Sequence, residues 1–210
     1  MPKPYVPNDK WSRRAAEEGY RARSVYKLIE IDLRYHLFGT AKRVLDIGAA
    51  PGSWLQYAAE KVGPMGKVLG LDIQEIVPVA DNVITKVVDV FDKEKVTEAI
   101  FSMGWDKVDL LLSDIAPNTS GIRDVDQWRS IELNRNIAEI AWKHLRARGT
   151  LVMKVFRGKD FDAFTHELKT KFSRLKVMTA AASRDRSREV YVVCSQPIPM
   201  SAPLKGDSEQ

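Results

Sequence analysis

The sequence predicts an α/β fold: a doubly wound, seven-stranded sheet with helices on both faces, mixed because the last two strands form an antiparallel hairpin. Three observations carry that prediction. From residue 43 onward, short aliphatic and β-branched runs alternate with stretches of helical period. The first run, Arg43–Ile47, passes into Gly48-Ala49-Ala50-Pro51-Gly52 and then a helical stretch. This strand, turn and helix aim backbone N–H groups at a nucleotide-like ligand. Three later strands end in carboxylates, Asp72, Asp89 and Asp114, at the edge where open α/β sheets bind ligands.

In chain order, residues 1–10 hold Pro2, Pro4 and Pro7 and read as a flexible arm. Ser12 to Tyr35 is helical in pattern, with a break at Gly19–Ser24 and Ser24 placed to cap the second piece. Strand one, Arg43–Ile47, is followed by a helix over Trp54–Val62 and a turn at Gly63-Pro64-Met65-Gly66. Strand two is Lys67–Asp72 and strand three is Asn82–Val88. A helix over Lys93–Met103 leads to strand four, Val108–Ser113, and a long helix spans about Asp124 to Arg146, stopped by Gly149. Strand five is Thr150–Phe156, a helix covers Phe161–Phe172, and strands six (Arg174–Thr179) and seven (Glu189–Ser195) pair as the hairpin. The layout is a single domain over 11–196 and an irregular tail over 197–210, with no repeat.

Composition bounds the class. An apolar fraction of 44% in 210 residues is ample for a core. The net charge of +5 and pI near 9.2 are mildly basic. Residues 1–43 hold ten Lys/Arg against five Asp/Glu, and Arg184, Arg186 and Arg188 cluster again, which favours an anionic partner such as nucleic acid. The lone Cys194 excludes an internal disulfide and fits a reducing, cytoplasmic setting. No apolar run approaches the roughly 20 residues of a membrane span, and residues 1–10 lack a signal-peptide core. His36, His144 and His166 have no ligand-like spacing, so no metal site is expected.

The turn after strand one is not a dinucleotide fingerprint, which would need glycine where Ala50 stands. Asp46 at the strand end would repel a pyrophosphate but suits a ligand with a cationic amino group, so the site points to S-adenosylmethionine rather than NAD. Asp72 follows Asp46 by 26 residues, near the spacing at which an acid meets ribose hydroxyls. Two lysines stay open from position alone. Lys27 reads equally as a solvated helix residue. Lys154 sits in an otherwise buried run, where a lysine is either paired or reaching solvent at an edge.

Five stretches in order resemble the FtsJ/RrmJ family of S-adenosylmethionine-dependent RNA ribose 2′-O-methyltransferases, a Rossmann-like methyltransferase fold. They are Arg21–Leu28, Asp46–Trp54, Ser113–Asn118, Lys154–Phe156 and Ser183–Tyr191. The resemblance implies a Lys-Asp-Lys-Glu catalytic tetrad at Lys27, Asp114, Lys154 and Glu189. It also implies donor contacts at Gly52, Trp54, Asp72, Asp89 and Asp114, beside the turn residues Asp46 and Gly48. Asp72 would meet the ribose and Asp89 the adenine amino group. Ser53 departs from the second glycine often found there, which tunes rather than removes donor affinity.

The chemistry is an in-line displacement in which the attacking oxygen is held about 3 Å from the methyl carbon. Lys154 is the central residue. As a neutral amine it would take the hydroxyl proton, and as an ammonium it would orient the oxygen and stabilise its developing charge. A 2′-hydroxyl target means RNA, not DNA. Trp11, Tyr20 and Tyr26 are candidates for stacking an unpaired base, beside scaffold roles. The leading expectation is a monomeric cytoplasmic enzyme of ribosome biogenesis. Its target would be a uridine of 23S-type large-subunit rRNA, within a large-subunit particle. A tRNA target and a non-catalytic RNA-binding assembly factor are the alternatives.

Overall fold

The computed structural model describes residues 10–181 and 188–199. Two helices come first, α1 (Lys10–Glu17) and α2 (Val25–Tyr35). Then β1 (Arg43–Ile47), α3 (Ser53–Val62), β2 (Lys67–Asp72), β3 (Val83–Val87), α4 (Lys93–Ser102) and β4 (Val108–Ser113) alternate. The chain continues through α5 (Arg123–His144), β5 (Leu145–Phe156), α6 (Phe161–Lys171), β6 (Phe172–Met178) and β7 (Glu189–Pro197).

The seven strands form one sheet in the order β3-β2-β1-β4-β5-β7-β6. Strands β1 to β5 run parallel, and β7 enters antiparallel between β5 and β6. The order reverses between β1 and β4, so their carboxyl ends diverge and leave a crevice there. Alternation along the central strands feeds two cores. Leu45, Ile47 and Leu111 face α4, α5 and α6, while Val44, Leu110 and Leu112 face α2 and α3. The junction of β1 and β4 is pinned by Asp109, whose Oδ2 accepts the backbone N–H groups of Lys42 (2.9 Å) and Arg43 (2.8 Å).

Three local readings differ from expectation. Ser24 stands at the N-cap of α2 but in a helical backbone conformation, and its side chain makes no cap bond. Its hydroxyl instead meets that of Ser53 at 3.0 Å, tying α2 to α3. The long helix stops at His144, not Arg146, because Leu145 is already extended and pairs with Val108. The ladder then slips, and Leu110 pairs with Thr150. A Cβ on Gly149 would lie 2.9 Å from Leu145 Cδ2, so this glycine serves the bulge rather than ending a helix. Strand β7 runs on to Pro197, and Ile198 is held from both sides: its N–H donates to Lys171 O (2.8 Å) and its carbonyl accepts from Trp142 Nε1 (2.6 Å). The first nine residues of the expected arm and positions 200–210 lie outside the described residues, as do Arg184 and Arg186.

Gly48, in the turn after β1, has φ +75°, and a Cβ there would lie 2.5 Å from Ile115 Cβ. Gly48→Ala combines left-handed strain of about 1–2 kcal/mol with overpacking of about 1–3 kcal/mol. Urea denaturation is expected to show a loss of about 2–5 kcal/mol; a loss below about 1 kcal/mol would mean that the turn relaxes freely.

Candidate active site

A cleft of about 810 Å³ opens at the carboxyl ends of β1, β2 and β4, where the strand order reverses. Gly48, Asp72, Asp89 and Asp114 all line it, with Phe91 and Trp128 among its exposed apolar walls. Asp72 is fixed by the backbone: Ala50 N donates to Oδ2 (2.9 Å) and Gln74 N to Oδ1 (2.9 Å). It therefore shapes the turn as well as facing the cleft. Asp89 closes a small turn by accepting Phe91 N at 2.9 Å and is otherwise exposed.

Asp46 lies beside this wall without lining the cleft. It is 1% exposed and its Oδ2 has no hydrogen-bond partner. Burial, and then the nearby carboxylates of Asp114 and Asp72, push its carboxyl well above the usual range. Three acids crowded at one end of a cleft repel one another, and a cation placed there relieves the repulsion. That donor set fits a ligand with cationic and hydroxyl groups, as S-adenosylmethionine has.

Gly52 and Trp54 stand outside the lining. Gly52 has φ +107°, and a Cβ there would lie 2.9 Å from Arg21 Nη1. The indole of Trp54 is buried, donates to Ser24 O at 2.9 Å, and packs 6.0 Å from the ring of Tyr191. Its side chain thus packs behind Tyr191. The first turn of α3, which Gly52 caps, leaves backbone N–H groups without intrahelical acceptors.

The two lysines and two acids expected from the sequence come together as two pairs. Lys154 Nζ donates to the carbonyl of Asp114 (2.5 Å) and lies 3.2 Å from its Oδ1. Lys27 Nζ contacts both oxygens of Glu189, at 2.8 and 3.3 Å. Both lysines are buried, at 8% and 7% exposure, which their pairing permits. Tyr191 joins the pairs. Its hydroxyl donates to Asp114 Oδ1 at 2.6 Å, and Lys27 Nζ lies 5.8 Å from its ring. Burial, and then the charge of Asp114, hold that phenol well above its ordinary value, so it remains a donor.

Sequence reading assigned no role to Tyr191, although its register signals one: it directly opposes Lys154 and shares a face with Glu189 two residues earlier. Arg21 was also passed over. Its guanidinium donates to the carbonyls of Pro51 (3.1 Å), Val77 (2.7 Å) and Pro78 (2.6 Å), stapling the turn before α3 to the segment after β2. Trp11, Tyr20 and Tyr26 pack on one another, with Trp11 and Tyr20 ring centroids 5.1 and 6.4 Å from that of Tyr26. Tyr26, at the centre of this cluster, directly precedes Lys27 on α2.

Residues 20–196 match the model of the FtsJ-like methyltransferase family. The chain belongs to that family. Its FtsJ-like domain therefore contains the whole cleft and both ion pairs. Among similar proteins is ribosomal RNA large subunit methyltransferase E of Methanothrix thermoacetophila, 42% identical over 197 residues, or 94% of this chain and 75% of that protein. The protein of the same name from Azoarcus sp. is 42% identical over 191 residues, 89% of this chain and 90% of its own. A solved structure described as a ribosomal RNA methyltransferase from Plasmodium falciparum superposes with TM-score 0.73 at 28% identity. It covers 86% of this chain and 100% of its own.

Asp46 gives a pH signature. A carboxyl whose pKa is raised by folding contributes stability that is fully present below its unfolded value, near 3.8, and is lost as pH rises through the folded value. Asp46→Asn cannot ionise, so its thermal stability is expected to decline less than wild type above pH 3.8 and to exceed it at neutral pH. Parallel pH profiles for the two proteins would rule out this origin.

Proposed function

We propose that this FtsJ-like methyltransferase moves a methyl group from S-adenosylmethionine to a ribose 2′-hydroxyl of RNA, most simply a uridine of large-subunit ribosomal RNA. The observation that carries the chemistry is Lys154, buried and bonded to Asp114, which lines the cleft. The target is supported by the relatives named ribosomal RNA large subunit methyltransferase E, which match this chain over nine-tenths of its length.

Bound in the cleft, the donor supplies an electrophilic methyl group on a sulfonium. The protein's part is to hold, orient and deprotonate. Asp46, Asp72 and Asp114 offset the donor's positive charges, and Asp72 and Asp89 accept from its ribose and adenine. The first-turn amides at Gly52 and Trp54 hold its carboxylate end. Tyr191 fixes Asp114, Asp114 fixes Lys154, and Glu189 fixes Lys27, so the two amines face the incoming hydroxyl in one arrangement. Lys154 then takes the hydroxyl proton, or, as an ammonium, stabilises the oxygen while that proton passes to water or a carboxylate. Placing the oxygen supplies much of the rate, because aligned reactants avoid the entropy of encounter.

Lys154→Ala is expected to lower methyl transfer by about 10²–10⁴-fold while donor affinity stays within a few-fold of wild type. Transfer of labelled methyl to ribosomal RNA, with calorimetry for the donor, measures both. Near-normal turnover would remove Lys154 from the reaction. Digestion of the labelled RNA locates the mark: label confined to tRNA would move the target, and no label despite donor binding would overturn the reaction.

A further inference from the structure

A second cleft of about 820 Å³ lies at the opposite end of the sheet, where β5 begins. Arg146, Arg148, Arg174 and Lys176 line it, with Asp109 as its one carboxylate and Tyr35 as an aromatic wall. Asp109 is already satisfied, bonded to Arg146 at 2.8 Å and to two backbone N–H groups. Arg148, Arg174 and Lys176 are exposed and have no carboxylate partner among the described residues. Three cations left facing one cavity make a site for phosphate oxygens.

The cleft is linked to the methyl-transfer site by sheet register. Lys154, Tyr191 and Met178 form one row across β5, β7 and β6. Two residues along, Val152, Val193 and Lys176 form the next row, and two further along come Thr150, Ser195 and Arg174. Steps of two keep all three rows on one face of the sheet. Four residues of strand put Thr150 about 13 Å from Lys154. Helix α2 gives a second ruler: Lys27 in its first turn meets Glu189, and Tyr35 at its end lines the basic cleft, about 12 Å away at 1.5 Å per residue. At roughly 3.4 Å per nucleotide of a helical strand, about four nucleotides bridge that span.

We infer that this basic cleft binds the phosphate backbone of the substrate RNA a few nucleotides from the methylated ribose. Helix α2 covers the Tyr191 and Val193 rows between the two sites. The RNA therefore passes outside that helix from the lysine pairs to the cleft, with Arg148, Arg174 and Lys176 gripping phosphates and Tyr35 offering a stacking surface. This rests on the RNA methyl-transfer reading, and it assigns those residues to affinity rather than to chemistry.

The test is the combined variant Arg148→Gln, Arg174→Gln and Lys176→Gln, which leaves Arg146 to hold Asp109. The probe is a large-subunit ribosomal RNA transcript, titrated across a range of salt. The variant is expected to bind it about tenfold or more weakly at low salt. The slope of log affinity against log salt should shrink by about 2, at roughly 0.7 per single-strand phosphate contact. The KM for RNA should rise with kcat retained, and donor affinity, which also reports folding, should match wild type. An unchanged affinity and slope would overturn the site. So would loss of inorganic phosphate binding with RNA binding intact, since that would mark a small-anion site. Wild-type protein that binds RNA with the full slope yet transfers no methyl would refute the proposed reaction alone. The variant's reduced slope would still support the cleft.

Discussion

The fold's central constraint is that two lysine side chains are taken out of water beside the cleft. A buried lysine is tolerated only when its charge is met and its protons are used, since an unpaired one costs several kcal/mol. Asp114 meets Lys154 twice, through its carbonyl at 2.5 Å and its carboxylate at 3.2 Å. That double contact requires β4 to end where the chain can still curl back toward β5. It also requires β7 to lie next to β5, so that Tyr191 can reach Asp114 from the other side. Much of the sheet order follows from those two needs. The antiparallel insertion of β7 carries Glu189 and Tyr191 to a place that a parallel strand at the sheet edge would not reach.

Asp46 is the counterweight. It lies between hydrophobic neighbours on a central strand, its Oδ2 unpartnered, with two more carboxylates nearby. Judged by stability alone, an amide or an aliphatic residue would serve better at that position. Such violations of packing logic concentrate at functional sites.

Much of this arrangement was legible in the amino-acid order. Strands β1, β2 and β4 have the bounds that their aliphatic runs suggest, because buried parallel strands leave a continuous apolar signature that turns interrupt sharply. The carboxylates at strand ends could be located the same way. Less legible were features set by tertiary contact. Gly149 looks like a helix stop but accommodates a bulge whose register depends on β4. Ser24 has the composition of a cap, yet its hydroxyl is drawn to Ser53 by the packing of α2 on α3. The pairing of Lys27 with Glu189 joins residues 162 apart, and no local periodicity encodes it. It came instead from the order of short motifs along the chain, a signal of ancestry rather than of local physics. Tyr191 was hidden by its setting, for an aromatic residue in a buried strand ordinarily signifies core.

The position of β7 bears on how the protein comes into being. The strand that enters between β5 and β6 is the last of the sheet to be synthesised, yet it carries two of the groups that order the lysines. The cleft at the carboxyl ends of the strands, by contrast, is drawn from β1 to α5 and precedes it. A nascent chain can therefore shape this cleft and pair Lys154 with Asp114 while Lys27 still awaits Glu189. The final strand must then join two neighbours and close a contact between residues 162 apart, a slow kind of step. The full set of lysine contacts is thus completed only after the cleft-lining strands have been made.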